Sequence, residues 1–211
     1  MTDKEYFAAL KEGAAKGNVI AAWELADAYA YGFVLRENGA WFPVRKNRPR
    51  AERLYRFVAK TRERDVILNL AAVLKDKDRG EALRLERKAW RMGVKQAANN
   101  IAMTYSAMGR PDLCFKWLKR AYVADPSGSV NCLALCHLIG YGTIKNTKEA
   151  CRLFRLVIRR NWGTPDGQEC AAQFIKMIDR GETPHPPRRG KTIGSIRPVL
   201  ITWKSRRRVV E

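Results

Sequence analysis

Apolar positions along this chain recur with the 3.6-residue period of an α-helix, and the pattern itself repeats. Ala21-x-x-x-Leu25-Ala26, Val66-x-x-x-Leu70-Ala71, Ala97-x-x-x-Ile101-Ala102 and Ser129-x-x-x-Leu133-Ala134 each set a bulky residue beside a small one, with Tyr29, Leu74, Tyr105 or His137 three positions on. The small residue lets backbones approach closely, and the larger one fills the same helical side, so four equivalent helices, termed A, are predicted. Each is followed by a break and a second amphipathic segment, over residues 50–62, 81–92, 113–124 and 149–160. In these B helices Leu54, Leu85, Trp117 and Leu153 form one inward column and Val58, Ala89, Ala121 and Val157 another. The predicted unit is a helix-turn-helix repeat.

The fourth copy is the fullest: Ser129-x-x-x-Leu133-Ala134 runs through Gly140-Tyr-Gly142, Asn146 and Glu149-Ala150 to Leu153-Phe154 and Asn161. These landmarks resemble the Sel-one-like repeat family, helical-pair solenoids related to tetratricopeptide repeats, over about residues 3–180. The first copy keeps Tyr29 and Gly32 but inserts residues 37–46, and the second and third lack the Gly-x-Gly turn, which shortens their loops. Residues 163–180 read as a last A helix entered through Thr164-Pro165-Asp166, an N-cap with proline in the first turn. The expected fold is therefore all-α: a right-handed α-solenoid of about four helix-turn-helix repeats with a capping helix and a basic C-terminal extension.

The repeat domain is placed at residues 1–181 and the extension at 182–211. Thr183-Pro-His-Pro-Pro187 cannot continue a helix, and beyond it stand Arg188, Arg189, Lys191, Arg197, Lys204 and Arg206 to Arg208 against the single acid Glu211. Residues 199–203, Val-Leu-Ile-Thr-Trp, have strand character, with a short helix or no regular structure as the open alternatives.

Charge sharpens the picture. Among 211 residues, 41 Lys and Arg face 21 Asp and Glu, a net +20 that attracts acidic proteins, nucleic acid or anionic surfaces. The expected location is cytoplasmic, intracellular and soluble, since the chain opens on charged residues and no run approaches the ~18 apolar residues of a membrane span. Five cysteines without paired spacing read as free thiols.

The cations are not scattered. Arg53/Arg56/Lys60, Arg84/Arg87/Arg91, Lys116/Lys119 and Arg152/Arg155/Arg159 occupy matching places in the four B helices, at spacings that share one helical face. They predict a convex basic band. The family resemblance places the A helices on the concave side, where Trp23, Glu24, Asn69, Asn99, Asn100 and Asn131 are candidates for a groove. A ladder of Asn amides can hold a peptide main chain, or can bond between neighbouring turns.

Catalysis finds no support. Two histidines give no nucleophile–base ordering, and Arg189-Gly190-Lys191-Thr192 has His185 where a phosphate-binding loop needs its first glycine. Cys132, Cys136 and His137 lack a second pair of ligands nearby in sequence, so no metal and no cofactor is expected. The resemblance implies a non-enzymatic protein-protein interaction module, an adaptor or a toxin-neutralising partner. Its expected partner is an acidic protein; RNA or DNA in a ribonucleoprotein is the alternative, with Trp41-Phe42 beside Arg45-Lys46 and Trp203 beside Lys204 as aromatic-basic groups. Oligomeric state is left open.

Overall fold

Short polar side chains mark where the helices begin. The computed structural model describes residues 2–36, 39–188 and 191–196, and it divides into two compact units, Met1–Val94 and Lys95–Glu211. In the first, Thr2 and Glu5 form a capping box that opens α1 (Asp3–Ala15), and Asn18 accepts the Ile20 and Ala21 amides to open α2 (Val19–Tyr31). Asn47 caps α3 (Arg48–Leu74) and Asp78 caps α4 (Arg79–Arg91). Helix α3 is two helices in one: Arg62 leaves helical geometry at φ −128°, ψ 45°, so a B segment ends there and an A segment follows. Consecutive helices pack pairwise from α1 to α4.

The second unit continues the alternation. It comprises α5 (Gln96–Ala107), α6 (Pro111–Ala124), α7 (Pro126–Ile139), α8 (Thr147–Arg159) and α9 (Pro165–Asp179), each packed on the next, with α5 also touching α7. Thr164 caps α9 by accepting the Gly167 amide, as its place before Pro165 predicts. A short 3-10 turn, Ile193–Ser195, lies on α5 and α7.

The aligned columns are the core. Leu25, Ala26 and Tyr29, Val66, Leu70, Ala71 and Leu74, Ala97, Ile101, Ala102 and Tyr105, and Ser129, Leu133 and Ala134 are all buried, while Ala21 and His137 are half-buried. Among the B-helix columns Val58, Ala89, Ala121, Val157, Leu85 and Leu153 are buried, and Leu54 and Trp117 are half-buried. Turn chemistry also follows the copies: α2 and α7 end on left-handed Gly32 and Gly140, whereas the A segment of α3 and α5 end on Lys75 and Met108 in right-handed geometry.

One departure from an all-α chain stands in the first repeat. β1 (Phe33–Leu35), just before the insertion, and β2 (Trp41–Pro43), within it, form an antiparallel hairpin in which Val34 pairs with Phe42. Those two side chains point inward and join Leu10 and Ala28 in a small core. Phe7 from α1 meets both Tyr29 and Phe42 edge-on at 6.0 and 6.4 Å, which fixes the hairpin to the helices. The strand candidate at residues 199–203 lies outside the described residues.

Candidate functional site

Every cation of the predicted band is exposed: Arg53, Arg56 and Lys60 on the B segment of α3, Arg84, Arg87 and Arg91 on α4, Lys116 and Lys119 on α6, and Arg152, Arg155 and Arg159 on α8. The cause is local. In α8 the opposite stripe, Ala150, Leu153, Phe154 and Val157, is buried, so the helix cannot turn its arginines inward. Three of the cations hold carboxylates: Arg56 bonds Glu52 and Glu81, Arg84 lies 3.7 Å from Glu81, and Arg152 forms a two-pronged pair with Glu149 at 2.7 Å. These pairs hold the Glu52 and Glu149 carboxyls below their ordinary range and raise the Arg56 and Arg152 guanidiniums. Arg53, Lys60, Arg91, Lys116, Arg155 and Arg159 have no ion-pair partner among the described residues. In unit two, a surface depression of about 410 Å³ is lined by Lys148, Arg152, Arg155, Leu156 and Arg159.

The A-helix residues behave differently from a bare peptide ladder. Asn69 donates to Asp27 Oδ1 at 3.2 Å, and Asn131 donates to the Gly167 carbonyl of α9 at 3.1 Å. Glu24 accepts from the Tyr6 hydroxyl at 2.9 Å, tying α2 to α1. Asn69, Asn131 and Glu24 thus each bond a neighbouring helix, which for the two amides is the alternative the sequence left open. Trp23, Asn99 and Asn100 are half-buried, and the Oδ1 atoms of Asn99 and Asn131 are buried without a donor among the described residues.

Asp27 was missed in the sequence because a lone acid on an A helix reads as solvated. In the structure its Oδ1 accepts from both Asn69 and the Tyr55 hydroxyl, joining α2 to both halves of α3. Burial pushes the Asp27 carboxyl up, outweighing the two hydrogen bonds, and burial together with the Asp27 carboxylate pushes the Tyr55 phenol up. A raised folded value means the native state holds its proton longer than the unfolded chain. Stability from this site is thus full below the ordinary carboxylate range and falls as pH rises through the folded value. Asp27→Asn keeps the shared oxygen acceptor and removes the buried charge. Its melting temperature is expected to match or exceed wild type by a few degrees at pH 7, with the gap closing near pH 4; a lower value at pH 7 contradicts this account.

The outer face of the hairpin is apolar and open. Trp41 is 68% exposed and meets Phe33 edge-on at 6.4 Å, and Phe33 in turn lies 6.4 Å from Tyr31. Arg45 and Lys46, exposed, follow directly. On the B face, by contrast, Tyr55 and Phe154 are fully buried and Trp117 lies under the Arg120 guanidinium at 4.6 Å.

The cysteines are free thiols, Cys114 and Cys136 buried and Cys132, Cys151 and Cys170 half-buried. Cys136 is buried with its thiol pushed up, first by its hydrogen bond with Cys114 and then by burial, and His137 packs edge-on against Phe115 at 5.3 Å. Burial lowers the His137 imidazole below its ordinary value. Among the described residues no three His, Cys, Asp or Glu side chains are grouped to hold a metal, and no helix is long and apolar enough to cross a membrane.

Paired helices of this kind are found in solved structures. A Sel1 repeat protein from Oxalobacter formigenes aligns with a TM-score of 0.58 at 17% identity, over 80% of this chain and 65% of its own. A protective antigen present in uropathogenic Escherichia coli strains, displaying an SLR fold, aligns with a TM-score of 0.57 at 20% identity, over 86% of this chain and 38% of its own. The fold is the Sel1-like repeat fold. No protein-family model and no curated protein matches the sequence. Both Sel1-like neighbours are longer, so this chain spans 65% of one and 38% of the other.

Proposed function

We propose that the protein is a non-enzymatic interaction module that takes an acidic protein partner on the outward faces of its B helices. The observation that carries this reading is the exposure, in each unit, of the B-helix cations at matching helix positions, with Arg53, Lys60, Arg91, Lys116, Arg155 and Arg159 unmatched by acids among the described residues. Charges mounted on rigid helices keep their spacing before a partner arrives, and they steer its approach. The Sel1-like repeat fold supports an interaction role in general, because stacked repeats present long surfaces. A protein is favoured over nucleic acid on this face because Tyr55 and Phe154 are buried and Trp117 lies under Arg120, so that base stacking there would fall to the partly exposed Phe57 beside Arg56.

A second reading rests on the hairpin, where exposed Trp41 and Phe33 stand beside Arg45 and Lys46. That combination suits single-stranded nucleic acid.

Capture from native extract, with and without nuclease, separates the two. Reversal of Arg84, Arg87, Arg152 and Arg155 to Glu is expected to abolish capture of a nuclease-insensitive protein, weakening it ~30-fold or more if each exposed charge contributes ~0.5 kcal/mol. Retained capture by a variant of native circular dichroism removes the B face from the reading. A nuclease-sensitive partner, with a raised 260/280 nm absorbance ratio lost on Trp41→Ala, supports the hairpin instead.

A further inference from the structure

The second unit carries a site that its own chain fills. After α9 the prolines at 184, 186 and 187 turn the chain out of helix, and residues 191–196 come back across the A-helix face. Ile193 is wholly buried there, and its amide donates to Ser106 Oγ of α5 at 2.7 Å. A methyl group on Gly194 would stand 3.4 Å from Met103 Sδ and 3.5 Å from Cys132 Sγ, ordinary van der Waals contact. Lys191 and Ser195 remain exposed and Thr192, Gly194 and Ile196 are half-buried, so Ile193 is the anchor of the contact.

We infer that this face is a peptide-recognition site that reads an aliphatic residue, with residues 192–196 as its ligand in cis. The site has the parts such recognition needs. An apolar pocket takes one side chain, a hydroxyl takes one main-chain amide, and the next position rests against the Met103 and Cys132 side chains. The hydroxyl is positioned in advance: Ser106 Oγ lies 3.2 Å from the Tyr141 hydroxyl, which also contacts the Ser106 carbonyl at 3.3 Å. Beside Ile196 the face continues into a cavity of about 280 Å³ between α7 and α9, lined by Asn131 and Phe174. The Asn131 Oδ1, buried without a donor, is an acceptor for an incoming amide. A partner protein with an exposed aliphatic segment is the occupant this chemistry fits in trans, and it competes with the tethered copy. The inference concerns a different surface from the B-helix cations and stands whether or not they bind an acidic protein.

The test uses full-length protein and a fluorescein-labelled synthetic peptide, Lys-Thr-Ile-Gly-Ser-Ile, read by anisotropy. A tether holds its ligand at roughly millimolar local concentration, so wild type resists a peptide of ~100 μM affinity about tenfold. Ile193→Asp, which ejects the anchor, is expected to bind the peptide at least ~10-fold more tightly than wild type. Cys132 in that variant alkylates faster, seen by peptide mass mapping. Adding Ser106→Ala to it weakens binding, and a peptide with Asp for Ile does not bind. Gly194→Trp, which leaves Ile193 intact, gives the same gain through steric exclusion. Unchanged peptide affinity in both variants overturns the site. Loss of cooperative unfolding in both makes the segment a structural strap and overturns it equally. A wild-type dimer that dissociates on adding peptide assigns the occupant to a second copy and overturns the cis assignment.

Discussion

Phe154→Ala is expected to remove about 4 kcal/mol from the stability of the second unit, the upper part of the range for emptying an aromatic core site. Phe154 is fully buried, and its ring stacks on Phe174 at 5.2 Å between centroids with planes only 17° apart. The substitution therefore opens a cavity and removes an aromatic pair at once, the latter contributing about 1 kcal/mol beyond burial. Against a typical domain stability of ~5–15 kcal/mol, such a loss leaves the unit marginal. Chemical denaturation should show it as a lower midpoint with unchanged slope. Because repeats interact mainly with their neighbours, hydrogen-exchange protection should fall most in α7, α8 and α9. Phe154→Leu retains most of the volume and should recover over half of the loss. A shift below about 1 kcal/mol for Phe154→Ala would show that α8 and α9 collapse onto the vacancy.

The repeat register was legible because it is carried by many weak signals that agree. Ala26, Ala71, Ala102 and Ala134 recur beside a bulky neighbour, and each is fully buried. The exposure of the B-helix cations was legible for the complementary reason: once Leu153 and Val157 must face inward, Arg152, Arg155 and Arg159 have only the outside. What escaped was tertiary. Phe33-Val-Leu35 and Trp41-Phe-Pro43 are too short to show a two-residue period, and only the cavity left by Leu10 and Ala28 makes Val34 and Phe42 the inward pair. Ile193 gives no signal in a basic, proline-containing tail, since its pocket is built from α5 and α7, far away in sequence. Asp27 escaped likewise, because its partners Tyr55 and Asn69 belong to different segments of α3. The Asn ladder shows the remaining gap: residue type announced hydrogen bonding, but whether an amide faces a guest or the next helix depends on interhelical distance.

Gly142→Ala should be nearly as damaging as losing the Phe154 ring, for a reason confined to one atom. Gly142 sits at φ +71°, where a side chain strains the backbone by roughly 1–2 kcal/mol. In addition, a Cβ there would lie 2.0 Å from the Pro111 carbonyl oxygen and 2.4 Å from its carbon, at the first residue of α6. Both contacts are to backbone, so no side-chain rotation relieves them. Either the turn after α7 or the start of α6 must move, and a total loss of about 3–4 kcal/mol is expected from strain and clash together. Gly109, in the link between α5 and α6, provides the control: its φ is +70° and nothing lies within 4 Å of its Cβ position. Gly109→Ala should therefore show only the backbone component, about 1 kcal/mol. Denaturant midpoints for the two variants measure the difference directly. Equal losses would mean that the fourth-copy turn does not depend on close approach to α6. A large gap ties the Gly-x-Gly of that copy to the helix against which it packs, and accounts for its absence from the copies whose loops are shorter.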